Sequence, residues 1–131
     1  RTGPVDAARL VRLYQTHDIF LFPSRHEAYG IVVAEASAHG LPTLASATGG
    51  VAGVLHHGEN GLLLPADASG AQYAAEIVAL LDSPERYREL SRMARRTYET
   101  ELNWDDWSAR LLAVIAAFGA SARPNCGGPV T

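Results

Sequence analysis

Phe22-Pro23-Ser24-Arg25-His26-Glu27-Ala28-Tyr29-Gly30-Ile31-Val32-Val33-Ala34-Glu35 is the stretch on which the reading of this chain turns. An apolar run ends in Pro-Ser, a carboxylate follows in a short loop, and a helix opens around a glycine. A second carboxylate then stands eight positions after the first. Strand, loop and helix N-terminus together hold phosphate esters in α/β folds, because free N–H groups and the helix dipole point at the ligand. Two acids beside an anion site make sense when the ligand carries hydroxyls around its phosphates, as a nucleotide-sugar does. A carboxylate accepts strong hydrogen bonds from such hydroxyls.

Outward from this stretch, strands alternate with helices. Pro4 to Tyr14 reads as a helix with Ala7, Leu10, Val11 and Tyr14 at helical spacing. Asp18 to Phe22 is a short continuous apolar run, the pattern of a strand covered on both faces. Gly30 to His39 is helix, stopped by Gly40 with Pro42 beyond. Thr43 to Ser46 is a second strand leading to Thr48-Gly49-Gly50, and Val51 to His56 is a helical turn. After the tight turn Gly58-Glu59-Asn60-Gly61, Leu62 to Leu64 make a third strand stopped by Pro65.

The second half is helical. Ser69 with Gln72 fits a capping box, followed by the apolar stripe Ala74, Ile77, Val78 and Leu81. Ser83-Pro84-Glu85 starts another helix, with Tyr87, Leu90 and Ala94 facing inward. Asn103 with Asp106 caps the last, whose Trp104, Trp107, Leu111, Val114, Ile115 and Phe118 form one strong apolar face, read as core packing. Residues 119–131, rich in Pro and Gly and without periodicity, read as a flexible tail. The fold class is therefore α/β, a partial Rossmann-like parallel sheet flanked by helices, with residues 1–118 as its one domain.

Composition narrows the function. Apolar residues make up 47% of 131, enough for a core that buries roughly two thirds of the unfolded surface. The net charge of −3 and the lack of a basic patch with interleaved aromatics argue against nucleic acid. All 11 basic residues are arginine, which together with abundant alanine suggests a GC-rich genome. The single cysteine, Cys126, excludes an internal disulfide and a cysteine zinc site, so the expected compartment is a reducing cytoplasm. No apolar run reaches the roughly 18 residues of a membrane span, and no signal peptide is visible. The chain starts at Arg1 without methionine, read as the cut end of something longer.

Each candidate residue has a plainer reading beside the functional one. Glu27 is either a sugar-hydroxyl acceptor near the reacting carbon or an exposed loop acid. Glu35, among small apolar neighbours, either reaches solvent or meets a partner such as a ribose diol, because an unpaired buried charge is costly. Gly30 and the amides of Ala28, Tyr29 and Ile31 carry the phosphate-facing role, or Gly30 merely permits close helix–strand packing. Gly49 and Gly50 allow a ligand close approach, or make a plain turn. A glycosidase pair is disfavoured, because such carboxylates flank one bond from two sides. His56-His57 has no ligand partners at metal spacing and reads as a solvated loop pair; the arginines of 86–96 read as a solvated helix face. His26 is a neighbour of Glu27 and no more. Neither a P-loop pattern nor GxGxxG is present.

Taken together, Asp18-Ile-Phe-Leu-Phe-Pro-Ser24, Glu27-Ala-Tyr-Gly30, Ala34-Glu-Ala36, Gly40-Leu-Pro-Thr43, Gly49-Gly50 and Gly58-Glu-Asn-Gly-Leu62 resemble the C-terminal domain of retaining glycosyltransferases of family 4, over about residues 5 to 118. The resemblance implies the GT-B fold, two Rossmann-like domains facing each other across a cleft. It implies a nucleotide diphosphate sugar as donor, no metal and no other cofactor. Glu27 to Glu35 matches the family's Glu-x7-Glu spacing. The resemblance gives Glu27 to the donor sugar and the leaving phosphate, Glu35 to the ribose hydroxyls, and the amides of Tyr29, Gly30 and Ile31 to the diphosphate or sugar, an electrostatic form of catalysis. It departs at Gly53, where the family often has Glu; Tyr29 and Ala28 are milder changes. The acceptor-binding N-terminal domain and the family's diphosphate-binding Arg and Lys are expected outside these residues, so the fragment alone is expected to be inactive. The parent is expected to be bacterial and cytoplasmic, at most peripheral to a membrane. A sugar-nucleotide epimerase, a phosphorylase (which needs a pyridoxal-phosphate lysine, absent here) and a non-catalytic binding module are the alternatives.

Overall fold

The structure, a computed structural model, describes residues 3–121, with side chains through 118. Three parallel strands form one sheet in the order β1 (Phe20–Phe22), β2 (Thr43–Ser46), β3 (Leu62–Leu64). Phe20 pairs with Thr43, and Leu44 with Leu62. Helix α1 (Ala7–Thr16) precedes β1, and α2 (Ile31–Ala38) crosses from β1 to β2. A 3-10 turn over Gly49–Gly53 opens the connection from β2 to β3. Then come α3 (Gly70–Leu81), α4 (Pro84–Thr97), a π-helical turn over Tyr98–Leu102 and α5 (Trp104–Ser121). This is the α/β class with a parallel sheet that the sequence predicts.

Local signals set the boundaries. The Asp6 side chain accepts from the Arg9 amide at 2.7 Å and starts α1 three residues after Pro4. The capping box forms, with the Ser69 amide on Gln72 Oε1 at 2.8 Å. Asn103 Oδ1 accepts from the Asp106 amide at 2.9 Å as expected. Gly40, at φ +64, ends α2 where a residue with a Cβ would be strained.

The sheet separates two clusters. Leu44, Leu62 and Leu64 pack under Tyr73, Leu80 and Leu90 of α3 and α4. On the other face Ala45 and Val33 join Val51, Val54 and Leu55, with Phe20 and Phe22 packed against them. Each fully buried Leu contributes about 1.5–3 kcal/mol. A buried Ser46–Tyr73 hydrogen bond of 2.8 Å ties β2 to α3.

Three expectations about burial are corrected. Strand β1 is not covered on both faces: Leu21 is 45% exposed, because α3 and α4 cover β2 and β3 and stop short of it. The buried side of α3 is Tyr73, Ile77 and Leu80, while Ala74, Val78 and Leu81 are exposed. Alanine and leucine are common all round this helix, so more than one stripe could be drawn. The apolar face of α5 is not core: Trp104 is 68% and Phe118 73% exposed, and the two tryptophans pack edge-on against each other at 5.7 Å. The tail expected at 119–131 lies mostly outside the described residues, although α5 extends through its first three. Among the described residues no helix is long and apolar enough to cross a membrane.

Candidate functional site

The carboxyl ends of β1 and β2 deliver two loops to one edge, and the backbone welds them together. Gly50 N donates to Glu27 O at 3.2 Å, and Thr48 Oγ1 donates to Ser24 O at 3.1 Å. Glycines at 49 and 50 are forced by this contact. A Cβ on Gly49 would lie 1.7 Å from Glu27 O, and one on Gly50 2.3 Å from Ala28 O. The close approach predicted at these glycines is therefore made by the protein's own loop.

Glu27, half-buried, turns back on that loop. Its Oε1 accepts from the amides of Tyr29 at 3.2 Å and Gly30 at 3.1 Å. Two of the amides assigned to a diphosphate thus already hold an anion, the carboxylate three residues away or fewer. Gly30 is not inside the helix but caps it in the left-handed region at φ +94, and a Cβ there would press Val54 at 3.1 Å. Its glycine is required by conformation and by packing alike. Ile31 opens α2, and both it and Tyr29 are exposed.

Glu35 lies one turn into α2 and is half-buried. It meets a protein partner: Tyr14 Oη of α1 donates to Glu35 Oε2 at 3.1 Å. Burial, then the Glu35 charge, hold the Tyr14 phenol well above its ordinary value of 10.0. Glu35 faces a cavity of about 350 Å³ between α1, α2 and the start of α5, with Tyr29, Ile31, Trp104 and Trp107 among its walls. The structure thus forms two groups: Glu27 with Ala28, Tyr29, Gly30, Gly49 and Gly50 at the sheet edge, and Glu35 with Tyr29 and Ile31 around the cavity. Tyr29 belongs to both, whereas Glu27 and the glycine pair are not among the cavity's walls.

Other features resolve toward structure. His56 and His57 are exposed, as expected, and His57 Nδ1 also accepts from the Leu63 amide at 3.1 Å, tying the turn to β3. Buried Asn60 accepts from the His56 amide at 2.6 Å and donates to Val54 O at 2.9 Å. Arg95 departs from the solvated arginine face to donate to Ala38 O at the end of α2, beside Ser91, which donates to Gly40 O at 2.6 Å. A Cβ at Gly53 would meet nothing within 4 Å, so no packing demands glycine there. Among the described residues no three His, Cys, Asp or Glu side chains gather as a metal site. Sequence reasoning missed Tyr14 as a partner of Glu35. Its helical spacing marked it only as an inward-facing residue.

A family model described as Glycosyl transferases group 1 matches residues 2–97. The chain is 37% identical over 111 residues to a D-inositol 3-phosphate glycosyltransferase of Thermomonospora curvata, covering 85% of this chain and 25% of that protein. Sucrose-phosphate synthase of Thermosynechococcus elongatus superposes with a TM-score of 0.79 at 28% identity, over 92% of this chain and 30% of that one. Anabaena HepE, solved with UDP-glucose, superposes with a TM-score of 0.73 at 19% identity, over 82% of this chain and 30% of that one. The chain spans about a quarter of the length of the curated relative.

Proposed function

The chain belongs to the group 1 glycosyl transferases, and from that premise we propose that it is the donor-binding part of an enzyme that transfers a sugar from a nucleotide diphosphate to an acceptor, with retention of anomeric configuration. One observation carries the reading: the Glu-x7-Glu segment folds as a loop and helix at the carboxyl edge of a parallel sheet, with Glu35 facing a cavity. HepE binding UDP-glucose supports a nucleotide-sugar as the ligand. In this reading Glu35 takes the ribose hydroxyls. The diphosphate settles against the amides of Ala28 to Ile31, exchanging for the Glu27 carboxylate on Tyr29 and Gly30. Glu27, released, turns to the donor sugar and the leaving phosphate. Positive partial charge at the start of α2 stabilises the charge that develops on the diphosphate.

Residues 1–131 alone do not turn over, because the acceptor is held by a further domain of the whole protein. The test is isothermal titration of the whole protein with UDP, GDP and ADP, then transfer assays with labelled donors and NMR of the product anomer. Binding of one diphosphate and retention are expected; inversion would overturn the mechanism, and turnover by residues 1–131 would overturn the division of labour. A non-catalytic binding module is the second reading. It is favoured by Gly53, whose open surroundings show that packing did not remove the family's Glu. Binding to none of the three diphosphates, with no transfer, would choose it.

A further inference from the structure

We infer that Tyr14 is a positioning residue for Glu35, holding its carboxylate ready for the ribose hydroxyls; this rests on the reading of Glu35 just proposed. Tyr14 lies 21 residues before Glu35, outside the Glu-x7-Glu segment. It is the buried residue of α1, at 7% exposure. Its ring is wedged between Phe20, edge-on at 5.8 Å, and His39, stacked at 5.6 Å. A ring so fixed aims its hydroxyl at one point, and that point is Glu35 Oε2, 3.1 Å away. The phenol keeps its proton across the physiological range, so it is a constant donor to the carboxylate.

A carboxylate has about four acceptor positions on two oxygens. The Tyr14 bond uses one, and among the described residues no other hydrogen bond is made to the Glu35 carboxylate. The free oxygen keeps its capacity while the side chain loses its rotational freedom in advance. A ligand that meets an already ordered side chain avoids the ordering cost that a loose one imposes.

The nucleoside diphosphate that binds most tightly among UDP, GDP and ADP is compared with its 2′,3′-dideoxy analogue, on the whole protein. Tyr14→Phe keeps the wedged ring and removes the hydroxyl. Its dissociation constant for the ribonucleotide should rise about three- to tenfold, with the dideoxy analogue unchanged. Added to Glu35→Gln, it should have no further effect. Equal weakening of both ligands, the mark of a merely structural role, would overturn the inference, as would no change in either. Glu35→Gln separates the two readings. If it leaves the preference for the ribonucleotide intact, the ribose reading of Glu35 fails and this inference with it. If it abolishes that preference and Tyr14→Phe does not, only the role of Tyr14 falls.

Discussion

The loop that follows β1 and the helix α5 are held in opposite ways. The loop is polar and short, yet it is fixed by backbone: Gly50 N on Glu27 O, Thr48 on Ser24, and the Glu27 carboxylate on two of its own amides. The helix is long and rich in apolar side chains, yet Trp104, Leu112, Ile115 and Phe118 are mostly exposed. Apolar content did not decide which was anchored. The presence of a complementary surface did, and for the loop that surface is a pair of glycines.

Gly49→Ala strikes the contact between the two loops directly. The added carbon meets Glu27 O, and its φ of +51 disfavours any side chain. We expect a loss of about 3 kcal/mol in urea denaturation. An unchanged midpoint would mean the weld is loose. Glu27→Gln should cost about 1 kcal/mol, as a charged acceptor on two amides becomes a neutral one. Gly53→Ala, three residues past Gly50 and with open space around it, should stabilise by about 0.5 kcal/mol through the unfolded chain. Leu112→Ala, 66% exposed on α5, should shift the same midpoint by less than about 0.5 kcal/mol, though it removes three side-chain carbons.

A separate effect is one of pH. The folded-state pKa of Tyr14 is raised, so its contribution to stability is fully present below the unfolded value of about 10 and is lost as pH rises above it. Stability measured from pH 9 to 11 should therefore fall, and fall less in Tyr14→Phe. Parallel curves for the two proteins would contradict the buried phenol–carboxylate contact.

Much of this was legible in the sequence. The strands beginning at Thr43 and Leu62, the capping box at Ser69 and the stop at Gly40 are local signals, and each appears at its place. What escaped depended on partners distant in the chain. Leu21 reads as a buried strand residue until α3 and α4 are seen to cover only its neighbours. The stripe on α5 obeys helical spacing, but periodicity says which face is apolar and not whether anything lies against it. The spacing of Glu27 and Glu35 was legible, while the structure puts them in two neighbouring groups. The capture of one by its own loop and of the other by Tyr14 was not legible, since both depend on side-chain direction in three dimensions.

The Glu27 contact bears on selectivity. A carboxylate held two and three residues from the amides of Tyr29 and Gly30 competes for them intramolecularly, at a concentration no free anion has to match by diffusion. Stray chloride or inorganic phosphate, binding through those amides alone, would have to evict a group that cannot diffuse away. Under the proposed function, a larger guest that grips elsewhere as well forces the exchange, and the tether is then a threshold against small anions.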